Sequence, residues 1–142
     1  MNDQDDDFKE TMEIALNEIK DLMLGLDQLI LALGSADPRT NTADNVSLIY
    51  RRVHTIKSNL AFVPNSKFVG LLAENLENFL SHLRDKHQQV EQSCVDNLLF
   101  ATDLCTKLLL KIENNQVATV EESRAVYDCT SKLRRLSLAN TG

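Results

Sequence analysis

His54 and Lys57 stand three residues apart, a spacing that sets an imidazole and an ammonium side by side along one face of a helix. An unprotonated imidazole is a nucleophile, and an ammonium one turn further on can reach whatever anion becomes attached to the ring. An ordinary solvated helix face has the same spacing, so the pair by itself leaves both readings open. The other residues able to do chemistry are less well placed. His82 and His87 are five apart, a poor separation for two imidazoles around a metal, and read as surface residues; no metal site is expected. Cys94, Cys105 and Cys129 form no close pair of the kind a zinc site or redox dithiol uses. They fall on apolar stripes, where a thiol is reduced, buried and inert. Gly25, Gly34, Gly70 and Gly142 are isolated, so no phosphate-cradling loop is present and no ATP site of the chain's own is expected.

These side chains must be positioned by helices. In 142 residues there are only 4 Gly and 2 Pro, too few for the frequent tight turns of a β sandwich or barrel. The expected class is all-α, an antiparallel bundle with a four-helix core and a fifth, C-terminal helix, in one domain over residues 1–142. Phe8, Met12, Ala15, Ile19, Leu22, Leu26, Leu29 and Leu33 step by four and three and predict a single long helix over 5–33, with Asp5, Asp6 and Asp7 at its positive end. Gly34 and Asp37-Pro38 end it, and a polar loop runs from Ser35 to about Asn41. Ile49, Val53, Ile56 and Leu60 mark a second helix over 43–62, stopped near Val63 by Pro64. Asn65 or Ser66 can cap a third over 66–85, with Phe68, Leu72, Leu76, Phe79 and Leu83 on its apolar side. The short connection makes helices two and three antiparallel neighbours. After a break around Lys86 to Glu91, Cys94, Leu98, Ala101, Cys105, Leu108 and Ile112 carry a fourth helix over 91–113. Thr119 and Glu122 form a capping box for a fifth over 120–137, with Val126, Cys129, Leu133 and Leu136 along one side.

The antiparallel pair brings candidate partners to His54. The imidazole lies about ten residues before the bend, Glu74 about ten after it and Glu77 about thirteen, a difference of roughly 4.5 Å along the axis, so either carboxylate can approach the ring.

His54-Thr55-Ile56-Lys57 resembles the histidine motif of histidine-containing phosphotransfer (HPt) domains, most closely the N-terminal domain of CheA-type chemotaxis histidine kinases. Leu76-Glu77-Asn78-Phe79-Leu80 is similar to the family segment that supplies a glutamate from the next helix, and Leu83-Arg84-Asp85 continues it. The resemblance extends over most of the chain, the last helix matching only in kind. It departs in three places. Ser58 stands where the family usually has Gly, the stretch Leu60 to Ser66 lacks the family's common glycine, and Glu77 falls one residue later than a gapless fit puts it.

The resemblance implies a phosphorelay module. His54 would be phosphorylated by a histidine kinase, hybrid kinase or receiver domain, and would pass the phosphoryl group to a receiver aspartate. Glu77, with Glu74 as substitute, would hold Nδ1–H; Lys57 would face the phosphoryl oxygens; Tyr50, Ser58, Ala61 and Phe62 would meet the partner. Magnesium would come from the receiver and no cofactor from this chain. An adaptor or degenerate HPt-like protein that binds a receiver without transfer is the alternative, motivated by Ser58.

With 21 acidic against 15 basic residues the net charge is −6, which opposes binding to nucleic acid or an anionic membrane. No membrane span is expected, and the acidic opening MNDQDDDFKE is unlike a secretory signal, so a cytoplasmic location is expected. A histidine that must meet two partners in turn implies an exposed, monomeric module.

Overall fold

The computed structural model describes residues 3–35, 42–84 and 90–139. The loop around Asp37-Pro38, Asp85, His87, the 85–89 connection, Gly142 and the Asp5 side chain lie outside the described residues. Among the described residues six α-helices follow in order: α1 (Asp3–Met23), α2 (Leu26–Leu33), α3 (Thr42–Asn59), α4 (Lys67–Leu83), α5 (Gln92–Glu113) and α6 (Val120–Ala139), with a 3-10 turn at Leu60–Phe62.

The arrangement is an all-α bundle. The α1–α2 pair packs on α3, α3 on α4, α4 on α5, and α5 back on α2, closing a four-membered core; α6 covers α4 and α5. The apolar stripes of α3 to α6 turn inward. Ile49, Val53, Ile56 and Leu60 meet Leu72, Leu76, Phe79 and Leu83, while Cys94, Leu98, Ala101, Cys105 and Leu108 meet Val126, Cys129 and Leu133 in the same buried cluster. One polar tie links α6 to α4: Arg134 Nε donates to Oδ1 of the buried Asn75 (3.2 Å), whose amide donates to Leu71 O (2.8 Å). The capping box closes as the sequence predicts, with Thr119 N donating to Glu122 Oε1 (2.8 Å) and Glu122 N to Thr119 Oγ1 (3.1 Å). Lys111, then these bonds from Thr119, hold the Glu122 carboxyl below the usual carboxylate range.

The single first helix expected over 5–33 is two helices. Gly25 adopts φ +76°, a left-handed conformation that breaks the ladder between α1 and α2. Arg52 of α3 takes up the carbonyls released there, donating through Nη1 to Leu24 O (2.9 Å) and, at longer range, to Leu22 O (3.5 Å). Past the break Ile30 rather than Leu29 is fully buried, and Phe8, near the start of α1, is exposed. The four-three spacing runs through Gly25 uninterrupted, which is why periodicity alone does not show the break.

Two glycine substitutions should act with opposite signs. A Cβ at Gly25 meets nothing within 4 Å, so Gly25→Ala should cost about 1 kcal/mol through its positive φ alone. Gly70, inside α4, also has open space around it, so Gly70→Ala should stabilise by about 1 kcal/mol through helix propensity. Urea denaturation of both variants checks the signs; a stabilised Gly25→Ala would contradict the left-handed break.

The bend between α3 and α4 is tighter than a helix running to residue 62. Pro64 holds Val63 extended (φ −116°, ψ 115°), and the last residues before it draw into the 3-10 turn. Ser66 occupies the N-cap position without a capping bond: its hydroxyl donates back to Val63 O (2.7 Å) and Leu60 O (3.2 Å), tying the bend together.

Candidate functional site

His54 lies in the second half of α3, off the buried stripe of Val53 and Ile56, so its side chain emerges at the flank facing α4. Its side chain is 58% exposed, whereas that of Glu77, on α4, is only 15% exposed. The carboxylate therefore sits behind the ring, with solvent in front. Nδ1 and Glu77 Oε2 are 3.3 Å apart. In the neutral imidazole, with a carboxylate that only accepts, the proton of this bond belongs to Nδ1, which leaves the Nε2 lone pair free. At 3.3 Å the contact is long for a hydrogen bond to a charged acceptor, which puts its role in orienting the ring rather than in strong binding.

Lys57 Nζ is 3.5 Å from the same Glu77 Oε2, and its side chain is 43% exposed. One carboxylate oxygen thus faces both the imidazole and the ammonium. The sequence places Lys57 beside the ring; that it also reaches across to α4 is a product of the helix pairing. Glu74, one turn earlier on α4, is exposed, and among the described residues Glu77 is the carboxylate that meets His54.

The ring is bounded on its other side by Tyr50, one turn earlier on α3. The two rings are nearly parallel, 12° apart in plane with centroids at 6.1 Å. Arg84, just past the end of α4, sets its guanidinium carbon 3.9 Å from the centroid of Tyr50. Stepping back four residues on α3, from His54 to Tyr50, moves the partner forward on α4 from Glu77 to Arg84, as antiparallel helices require. The guanidinium over Tyr50 has no signal in residue spacing, and a helical reading of the Leu83-Arg84-Asp85 segment alone does not assign it.

Ser58, Ala61 and Phe62 are exposed on the same side of the bend, and Tyr50 is half-buried. The Ser58 hydroxyl donates to His54 O at 3.1 Å, so it is folded against its own helix rather than projecting beside the imidazole. A serine held in this way adds little bulk to the approach.

The remaining candidates are set apart from this cluster. His82 is exposed on α4. Cys94, Cys105 and Cys129 are buried; burial, aided by Cys129, pushes the Cys105 thiol up to about 12, and burial pushes Cys129 up to about 11 against the opposing pull of Lys132. Thiols held protonated in this way are poor nucleophiles. Among the described residues, no group of three or more His, Cys, Asp or Glu side chains could hold a metal ion, and no helix is long and apolar enough to cross a membrane.

No family model matches the sequence, and no curated protein matches it. Among solved structures, the chain is similar to the phosphorylated P1 domain of CheA3 from R. sphaeroides, determined in complex with CheY6. The TM-score is 0.70 at 24% identity, over 89% of this chain and 98% of that one. The likeness establishes the fold: an all-α helical bundle of the P1 type.

Proposed function

We propose that this chain is a histidine phosphotransfer module that accepts a phosphoryl group on His54 and hands it to an aspartate of a receiver domain. The observation that carries the reading is the exposed imidazole backed by the Glu77 carboxylate and flanked by Lys57, on a bundle of the P1 type. The partner of the similar P1 domain, a CheY protein, supports a receiver as this chain's partner, and chemotaxis signalling as its setting. A cytoplasmic location and a monomeric state go with this role.

In the forward step the Nε2 lone pair attacks the donor phosphorus. The new N–P bond forms as the bond from phosphorus to the donor oxygen breaks, and that oxygen leaves on an aspartate carboxylate or on a nucleotide held by a kinase. The ring becomes cationic while Nδ1 keeps its proton. Glu77 then faces a stronger donor, and its charge offsets that of the ring. Lys57 swings from Glu77 to the phosphoryl oxygens, holding them in place for in-line transfer. In the reverse step a receiver aspartate takes the place of the leaving oxygen. Magnesium belongs to the receiver's acidic pocket, and this chain supplies the nucleophile and its positioning.

The test is to incubate the protein with a panel of phosphorylated receiver domains and follow the intact mass. The expected product carries one phosphoryl group, labile in acid and stable in base, as a phosphoramidate is. Stable binding of a receiver with no mass gain would instead favour the adaptor. Lys57→Ala should slow transfer about tenfold and leave thermal stability unchanged: a cation aligned with the transferring oxygens is worth more in a closed site, and exposure to water reduces it here. An unaltered rate would remove Lys57 from the mechanism.

A further inference from the structure

The bond from Nδ1 to Glu77 is long, at 3.3 Å, and a carboxylate oxygen accepts over a broad range of directions, so this contact holds the imidazole only loosely. The ring, tethered through Cγ, can still rock about its side-chain torsions. In doing so it swings Nε2 away from the direction an in-line attack needs. Something else must set the plane of the ring, and in this structure that is Tyr50, whose ring lies 12° from parallel to the imidazole at a centroid separation of 6.1 Å.

Tyr50 is in turn held from outside. The guanidinium carbon of Arg84 stands 3.9 Å from its centroid, in cation–π contact, and Arg84 belongs to the end of the helix that carries Glu77. We propose that Tyr50 and Arg84 are positioning residues for the histidine: Arg84 clamps the Tyr50 ring, and the Tyr50 ring sets the plane of the imidazole, so that α4 orients His54 at two points, through Glu77 directly and through Arg84 by way of Tyr50. This deepens the phosphotransfer reading and rests on it for its consequence. The geometric claim concerns the unphosphorylated protein alone.

The physical case is that the two restraints are of different kinds and do not substitute for each other. Glu77 selects the tautomer and draws Nδ1 toward α4; the Tyr50 ring opposes rocking of the imidazole about its side-chain torsions. Both must act before Nε2 points in one direction, and preorganisation of this sort is where a phosphoryl carrier with little covalent machinery acquires its rate. The role assigned here belongs to the Tyr50 ring and makes no use of its hydroxyl.

The experiment combines two readouts on Tyr50→Ala, Tyr50→Phe and Arg84→Ala. The first needs no partner: ring-nitrogen and ring-proton NMR of His54 in the free protein, which reports the tautomer and the aromatic ring-current shift. Tyr50→Ala should abolish the ring-current shift and broaden or mix the tautomer signals, Arg84→Ala should reduce the shift, and Tyr50→Phe should retain both features. The second is the rate of phosphoryl uptake from a phosphorylated receiver, with binding of the unphosphorylated receiver measured alongside. Tyr50→Ala should slow uptake about tenfold and Arg84→Ala about threefold, with Tyr50→Phe near wild type. Receiver binding by Arg84→Ala should be unchanged. Wild-type His54 signals in both alanine variants would overturn the proposal, as would a rate loss matched by an equal loss of receiver binding, which is the mark of a docking contact. If wild-type protein takes up no phosphoryl group, the phosphotransfer reading fails, and the NMR comparison still decides the positioning claim.

Discussion

His54→Gln should abolish phosphoryl uptake completely while leaving the fold at wild-type stability. The substitution retains a polar side chain of similar reach, but an amide nitrogen has its lone pair delocalised into the carbonyl and cannot displace a phosphoryl group. No other described imidazole or thiol is placed to substitute. Among the described residues, the only other imidazole is that of His82, which lies on α4 away from the cluster, and the Cys105 and Cys129 thiols are held protonated in the core. The imidazole is 58% exposed and its loss removes one long hydrogen bond, so the change in stability should stay within about 0.5 kcal/mol. Intact mass spectrometry after exposure to a phosphorylated receiver, with thermal unfolding beside it, reads both quantities. Label persisting on the variant would place the phosphoryl group elsewhere and end the assignment of His54.

The largest effect on folding should come from Phe79→Ala, with a loss of about 3–5 kcal/mol. Phe79 is completely buried and has the greatest volume among the fully buried side chains. It projects from α4 into the space between that helix and its neighbours, where close packing leaves nothing to collapse into the gap. Since domains of this size are stable by only about 5–15 kcal/mol, the variant should unfold at much lower urea concentration. The consequence for the site follows from geometry: Phe79 is two residues beyond Glu77 on the same helix, so loosening α4 loosens the carboxylate behind the imidazole. Phosphoryl uptake by the folded fraction should therefore also fall. A destabilisation below about 1 kcal/mol would mean that α4 is not seated on its neighbours through this side chain.

The two experiments address different levels of the same arrangement. In the proposed transfer His54 would supply the reacting atom, and its replacement should be tolerated structurally, because water already surrounds most of it. Phe79 does no chemistry, yet the helix it anchors carries Glu77 and leads to Arg84. The bundle contributes rigidity, and rigidity is what converts an exposed histidine into one presented in a defined direction.

Local patterns in the chain were enough to show the helical class, most of the inward stripes and the cap at Thr119. Ile49, Val53, Ile56 and Leu60 are buried as their spacing demands, because helical periodicity and the removal of apolar surface from water act on neighbouring residues along the chain. The Thr119–Glu122 capping box is likewise a local device, complete within four residues. The spacing of His54 and Lys57 was visible for the same reason. The break at Gly25 was not, since a glycine within an unbroken stripe fits either a continuous helix or a left-handed turn, and it is Arg52, from a distant helix, that satisfies the released carbonyls. Nor could residue spacing choose between Glu74 and Glu77: a counting argument from the bend is uncertain by about one turn, and the tighter 3-10 exit at Leu60–Phe62 shifts the register between α3 and α4. Only the packed pair of helices brings Glu77 to Nδ1, turns Lys57 toward the same oxygen and lays Arg84 over Tyr50. Those contacts join residues 20 to 34 positions apart, and their formation depends on how two buried faces interlock, a property of the assembled core and of no single segment.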